Sequence, residues 1–226
     1  MFKIRFDGGI SADEQKETST ACGLVESMSR SLVEGIGTPR FEKYCRYWFS
    51  TFDRTRIAAN VKRMDAVIRN PEITVTFVGR QNQQLNAVYG GIDVPPATVD
   101  PKNKQSLDIG GMRVGTGAPI DTSLTSVYAF VFPAQRGGSS LMSHHVGSGL
   151  RLYLANVYFA LPPGDVGRAH TIYHELTHKT LGTDDHMYEA EPCRQMAAVE
   201  PHKAGTNADS YAWFATTFAK LAKKPI

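Results

Sequence analysis

Residues 169–188 read AHTIYHELTHKTLGTDDHMY and place His174, Glu175 and His178 in an H-E-x-x-H spacing. Residues four apart on an α-helix share a face, so the two imidazoles can converge on one metal ion. Zinc suits them, because it takes neutral imidazole nitrogen and a catalytic site leaves one coordination position for water. Glu175, beside the first histidine, is placed to take a proton from that water and not to bind the metal. A solvent-facing helix that carries two histidines and a glutamate is the plain alternative.

The elements around the motif favour the metal. Ala169, Ile172, Tyr173 and Leu176 form an apolar stripe at helical spacing away from the histidines, which predicts a helix anchored in a core. Gly182 is the expected left-handed stop. Asp184, Asp185, His186 and Tyr188 follow it, so the turn after the helix can return a third ligand.

Residues 182–188, GTDDHMY, resemble the G-T-x-D-x-x-Y signature that follows H-E-x-x-H in the aspzincins, the deuterolysin-type metalloendopeptidases that include peptidyl-Lys metalloendopeptidase. Residues 207–211, NADSY, are similar to that family's N-A-D-x-Y segment, and the aromatic pair Trp48-Phe49 to its N-terminal W-F element. The resemblance implies one zinc ion per chain with Asp185 as third ligand to His174 and His178, and Glu175 as general base. Tyr188 becomes the hydroxyl donor to the oxyanion of the tetrahedral intermediate. Asp209 is placed in the pocket for the side chain just after the scissile bond, where it favours lysine.

Two positions depart from the pattern. Glu189 stands where the family closes its signature with glycine, and Ala212 where Lys-specific members carry a second acid. Two other zinc patterns offer alternatives. A metzincin would have glycine three residues and a ligand six residues after His178, where this chain has Leu181 and Asp184; a gluzincin would draw its ligand from Glu189, Glu191 or Glu200.

The elements that must hold these residues form an α+β chain. The 226 residues suit one zincin-like catalytic domain: 1–70 a mainly helical scaffold, 71–160 a mixed sheet and loops, 161–226 the zinc site and C-terminal helices. Phe2, Ile4 and Phe6 alternate in a short strand over 1–7. Ser11 and Glu14 make a capping box for a helix over 12–34; helices over 40–50 and 55–69 follow, the last with Ile57, Val61, Met64 and Ile68 on one stripe. Strands are expected over 73–78, 127–132 (buried) and 150–160, with Asp165 capping the zinc helix.

Residues 81–125, rich in Gly, Pro, Asn and Asp, read as hairpins and connections. One of them is a candidate for the sheet edge along which a substrate adds as a strand. Residues 135–149 read as a surface loop holding His144-His145. Beyond the site, helices are expected over 191–199 and 207–221. Asn207 can cap the last one, and Asp209 then has a structural alternative as a first-turn acid that favours the helix dipole.

Composition narrows the partners. A formal charge of +3 with no basic run beyond Lys223-Lys224 argues against nucleic acid and anionic membrane. No segment of about 18 apolar residues exists to span a membrane. The first residues lack the apolar region of a secretory signal. The resemblance then favours secretion by another route over a cytoplasmic location. Cys22, Cys45 and Cys193 are odd in number and allow at most one disulfide within the chain.

The reading is a zinc metalloendopeptidase acting on protein or peptide substrates. The alternatives are a zinc amidase for a narrow non-protein or cell-wall peptide substrate, and an inactive zincin-fold binding module. The spacing says nothing of the oligomeric state.

Overall fold

The predicted capping box opens the first helix: Glu14 N–H donates to Ser11 Oγ at 3.3 Å, and Ser11 N–H donates to Glu14 Oε2 at 2.9 Å. Two of the orphan donors at a helix start are thereby satisfied. In the computed structural model, which describes residues 3–6, 10–69, 72–78, 98–99, 106–109, 112–115, 129–130, 150–159 and 164–222, this helix is α1, Ala12–Gly35. Thr38 caps α2, Pro39–Phe49, by accepting from Phe41 N–H at 3.2 Å, and Pro39 occupies the first turn where its missing N–H costs nothing. Asp53 accepts from Thr55 and Arg56 N–H ahead of α3, Arg54–Arg69. The stripe Ile57, Val61, Met64 and Ile68 is buried as expected.

The helices lie between two parallel strands. β1, Lys3–Phe6, pairs in parallel with β2, Glu72–Val78, so the chain must cross over between them, and α1 to α3 form that crossover. β2 pairs in parallel with β7, Leu150–Ala155, with Ile73 opposite Leu150 and Val75 opposite Leu152. β6, Ala129–Phe130, pairs antiparallel with β7, which gives a mixed sheet of order β1-β2-β7-β6. Within 81–125, the described parts are β3, Thr98–Val99, β4, Ser106–Ile109, and β5, Met112–Gly115, an antiparallel sheet of its own. The remainder of 81–125 and all of 135–149, with His144-His145, lie outside the described residues, as do 1–2 and most of 127–132.

One sequence expectation needs correction here. The strand predicted over 150–160 stops at Ala155, and the chain turns into a single helical turn, α4, Asn156–Phe159. The apolar run continues through Val157 and Tyr158 for a different reason: Tyr158 is fully buried in the core. Among the described residues, the edge strand beside the next helix is β6.

The C-terminal part is helical: α5, Asp165–Leu181; α6, Ala190–Val199; α7, Pro201–Ala204; and α8, Ala208–Phe218. α5 runs through the centre and packs on α1, α3, α8 and the sheet. Its stripe of Ala169, Ile172, Tyr173 and Leu176 is buried in the core, as predicted. The aromatic residues of α2 hold α8. Trp48 stacks on Trp213 and donates from Nε1 to Thr217 Oγ1 at 3.0 Å, while Phe49 packs on Tyr211 and Phe214. Cys22, Cys45 and Cys193 are buried free thiols. The scaffold thus sets α8 against α5 through side chains more than 150 positions apart.

Candidate metal centre

α5 carries the H-E-x-x-H residues on the side that faces the 183–189 turn. It begins after Gly164, which has φ of 61° and no side-chain capping bond. Asp165 is therefore the first helical residue and not the expected cap; its carboxylate pairs with Arg168 Nη1 at 3.1 Å. The predicted stop is present: Gly182 adopts the left-handed conformation (φ 68°, ψ 41°) and its N–H donates to His178 O at 3.1 Å. Thr183 then turns back onto the helix, its Oγ1 lying 2.8 Å from Thr177 Oγ1.

That turn fixes the first imidazole. His178 Nδ1 lies 2.7 Å from the Thr183 carbonyl oxygen, an acceptor only, so Nδ1 carries a proton and Nε2 is the nitrogen left for a metal. His178 Nε2 and His174 Nε2 are 3.1 Å apart, and Asp185 Oδ1 lies 3.0 Å from the first histidine's Nε2 and 3.2 Å from that of His178. Three donor atoms thus occupy the corners of one small triangle. Bonds of 2.0–2.1 Å in a tetrahedral zinc site separate neighbouring ligand atoms by about 3.3 Å, so a zinc ion fits this set after a shift of a few tenths of an ångström. The buried Glu175 belongs to the same cluster, His174, Glu175 and His178 offering donor atoms within 4.8 Å of one another.

Four other ligand candidates have partners away from this triangle. Asp184 is engaged through its backbone, accepting from Ala208 N–H and donating to Thr206 O. His186 Nε2 lies 3.1 Å from Thr206 Oγ1. Glu191 pairs with Arg194, and Glu200 with Lys203.

The turn bearing Asp185 and Tyr188 is held by Asn207. This residue stands at the N-cap position of α8, but its side chain does not cap that helix, contrary to the expectation. Its Oδ1 accepts from His186 N–H at 2.9 Å and from Met187 N–H at 3.0 Å, and its Nδ2 donates to Met187 O at 3.0 Å. One buried carboxamide thereby satisfies three backbone groups of an otherwise exposed turn. Tyr188 follows and lays its ring on His174, with centroids 5.8 Å apart and planes 13° from parallel. Partial desolvation and the neighbouring Asp185 carboxylate push its phenol above the usual range, so it stays a protonated donor.

Asp209 lies behind His174, in the first turn of α8. Its Oδ1 is 3.3 Å from His174 Nδ1 and 2.7 Å from His170 Nε2, and its Oδ2 accepts from Trp213 Nε1 at 2.9 Å. Burial alone would raise this carboxyl, but the bonds from His170 and His174 outweigh it and hold the group well below the usual range. The same balance acts on Asp185 through His174 and His178. Burial pulls His174 down, yet bonds to Asp185 and Asp209 and the charge of Glu175 hold it up at about 10.

Sequence reasoning overlooked His170. Its signal was present, since 170, 174 and 178 form one histidine stripe at intervals of four. The H-E-x-x-H motif accounts for two of them and leaves the third with no task.

Residues 125–216, which contain the whole cluster, match the aspzincin family model, described as lysine-specific metallo-endopeptidase. An extracellular protease of Aeromonas hydrophila is 26% identical over 198 residues, which cover 86% of this chain and 41% of that protein. A peptidyl-Lys metalloendopeptidase of Armillaria mellea is 31% identical over 94 residues, 40% of this chain and 23% of that protein. The chain spans less than half the length of these curated relatives. A zinc peptidase from Grifola frondosa superposes with a TM-score of 0.55 at 18% identity, covering 91% of this chain and 95% of that one, so the fold is that of a zinc peptidase. The matched family and the Armillaria relative are described as metalloendopeptidases, and the Grifola neighbour as a zinc peptidase.

Proposed function

We propose that this chain is a secreted zinc-dependent metalloendopeptidase whose metal is held by His174, His178 and Asp185. The observation that carries the proposal is the meeting of three ligand atoms within 3.0–3.2 Å of one another, with the Glu175 carboxylate beside them. Zinc, when bound, supplies the Lewis acidity that polarises a peptide carbonyl and acidifies water. Glu175 takes the proton from the attacking water and hands it to the leaving amine, and Tyr188 donates its hydroxyl hydrogen to the developing oxyanion. A peptide laid along β6, the sheet edge beside α5, would add as a further strand and bring its scissile bond over the cluster. Secretion is supported by the relative named an extracellular protease, and no helix among the described residues is long and apolar enough to cross a membrane.

The proposal extends to a preference for lysine just after the scissile bond, with Asp209 as the attracting acid. The family description and the name of the Armillaria relative support it. Ala212, where a second acid would stand, is fully buried in α8 and adds no charge, so the preference is graded and not strict.

The test is cleavage of a peptide library by the zinc-loaded protein, read by mass spectrometry, with Glu175→Gln as control. The expected result is endoproteolytic cuts, enriched before lysine, that fall by about 10²–10⁴-fold in the control while zinc content is unchanged. Equal cleavage by the control would remove Glu175 as the base; zinc-bound protein that cuts no peptide would remove the peptidase.

A further inference from the structure

The Asp209 carboxylate is too fully engaged within its own chain to serve only as a specificity acid. It is 5% exposed, and four donors reach it: His170 Nε2 at 2.7 Å and His174 Nδ1 at 3.3 Å on Oδ1, Trp213 Nε1 at 2.9 Å and Cys193 Sγ at 3.7 Å on Oδ2. An ionised carboxylate offers about four lone-pair sites, so a substrate ammonium would have to displace one of these groups or share with it. Its most consequential partner is His174. The Nε2 of that ring points at His178 and Asp185, and a ring nitrogen can present a lone pair there only if the proton sits on Nδ1.

We propose that Asp209 is the positioning residue for His174. It accepts the Nδ1 proton, fixes the tautomer and aims Nε2 at the metal. His170 holds Asp209 in turn: its Nε2 bonds Oδ1, its Nδ1 lies 3.4 Å from Thr216 Oγ1, and its ring packs 4.5 Å from that of Trp213. The histidine left without a task by H-E-x-x-H therefore anchors the carboxylate that orients the first ligand. A carboxylate behind a ligating imidazole raises its basicity and locks its plane, and losing one weakens metal binding by about 10–100-fold. The inference rests on the proposed zinc site and reassigns the main duty of Asp209 from the substrate to His174.

The test is zinc affinity, measured by competition with a chromophoric chelator on wild-type, Asp209→Asn and His170→Asn proteins. Thermal unfolding of each metal-free form serves as the check on folding. Asp209→Asn keeps the shape but can offer an amide N–H to Nδ1, favouring the wrong tautomer. The expected result is zinc affinity lower by about 10–100-fold in Asp209→Asn and by a smaller factor in His170→Asn. In the Co²⁺-loaded protein, the visible absorption bands of Asp209→Asn should shift. Cleavage before residues other than lysine should fall along with cleavage before lysine. Wild-type zinc affinity in a folded Asp209→Asn, with loss confined to lysine substrates, would overturn the proposal and return Asp209 to the pocket. If Asp209→Asn does not fold, wild-type affinity in His170→Asn overturns it instead. A wild-type protein that binds no zinc would overturn the metal site itself.

Discussion

The two arms of the metal cluster are built differently. The helical arm, His174 and His178, comes from one rigid element, with side chains only 8% and 13% exposed. The loop arm, Asp185 and Tyr188, sits on a turn whose residues 184–189 are all exposed, with the Asp185 side chain at 40%. The core fixes the first arm through Ile172, Tyr173 and Leu176. The second has almost no core of its own and is fixed by hydrogen bonds from a residue some twenty positions later, Asn207. Two of the proposed ligands are therefore preformed by packing, while the proposed third ligand and oxyanion donor depend on one buried carboxamide.

The sharpest separation of the arms should come from Tyr188→Phe. It removes a donor from the loop arm without touching a ligand, and kcat should fall by about 10²–10³-fold with KM and zinc affinity unchanged. Steady-state kinetics alongside chelator competition measures this. A parallel fall in zinc affinity would mean that the Tyr188 ring on His174 supports the metal and not the reaction.

Asn207→Ala should loosen the whole loop arm while the helical arm keeps its packing. Zinc affinity should drop by about 10–100-fold, and Asp185 and Tyr188 should become mobile by NMR relaxation as His174 and His178 stay ordered. Unchanged affinity would mean that the turn holds its shape unaided.

Protonation gives a third separation. In the metal-free protein His174 is held up at about 10 and His178 is also raised, because their carboxylate partners outweigh burial. At pH 7 zinc must therefore expel protons from the helical arm, and its apparent affinity should rise with pH, about tenfold per unit for each proton released. Calorimetry in two buffers of different ionisation heat should show release of at least one proton; release of none would contradict the charge balance described for the site.

The smallest effect concerns Glu189, which closes the turn with φ of 69° and ψ of 153°. This region is nearly exclusive to glycine and costs other residues about 1–3 kcal/mol. Glu189→Gly should stabilise the metal-free protein by about 1 kcal/mol, a rise in Tm of roughly 2–4 °C for a chain of this size. A fall in Tm would show that the glutamate side chain offsets the strain.

The same contrast explains what the sequence reveals. The helical arm is legible because its causes are local: a four-residue spacing, an apolar stripe and a glycine stop all lie within residues 169–182. The capping box at Ser11 and the stripe Ile57, Val61, Met64 and Ile68 are legible for the same reason. The loop arm could be named only through a family signature. Spacing after a turn does not say whether Asp184, Asp185 or His186 swings inward; that is set by Asp184 pairing its backbone with the Asn207 segment. The bonds of Asn207 to the turn and of Asp209 to His170 and His174 join positions 20 to 39 apart, beyond the reach of any periodicity. Asp165 and the end of β7 depart from the sequence expectation for a smaller reason. A glycine with positive φ can start a helix without a polar cap, and an apolar run does not distinguish a strand from a buried helical turn.

The most direct test of the two-armed site is diffraction from crystals of the zinc-loaded protein, recorded on either side of the zinc absorption edge. A single anomalous peak bonded to His174 Nε2, His178 Nε2 and an Asp185 oxygen, at about 2.0–2.2 Å, is the predicted result. A zinc ion on the two histidines with Glu175, Asp184 or His186 in the third place, or one bound away from α5, would contradict it.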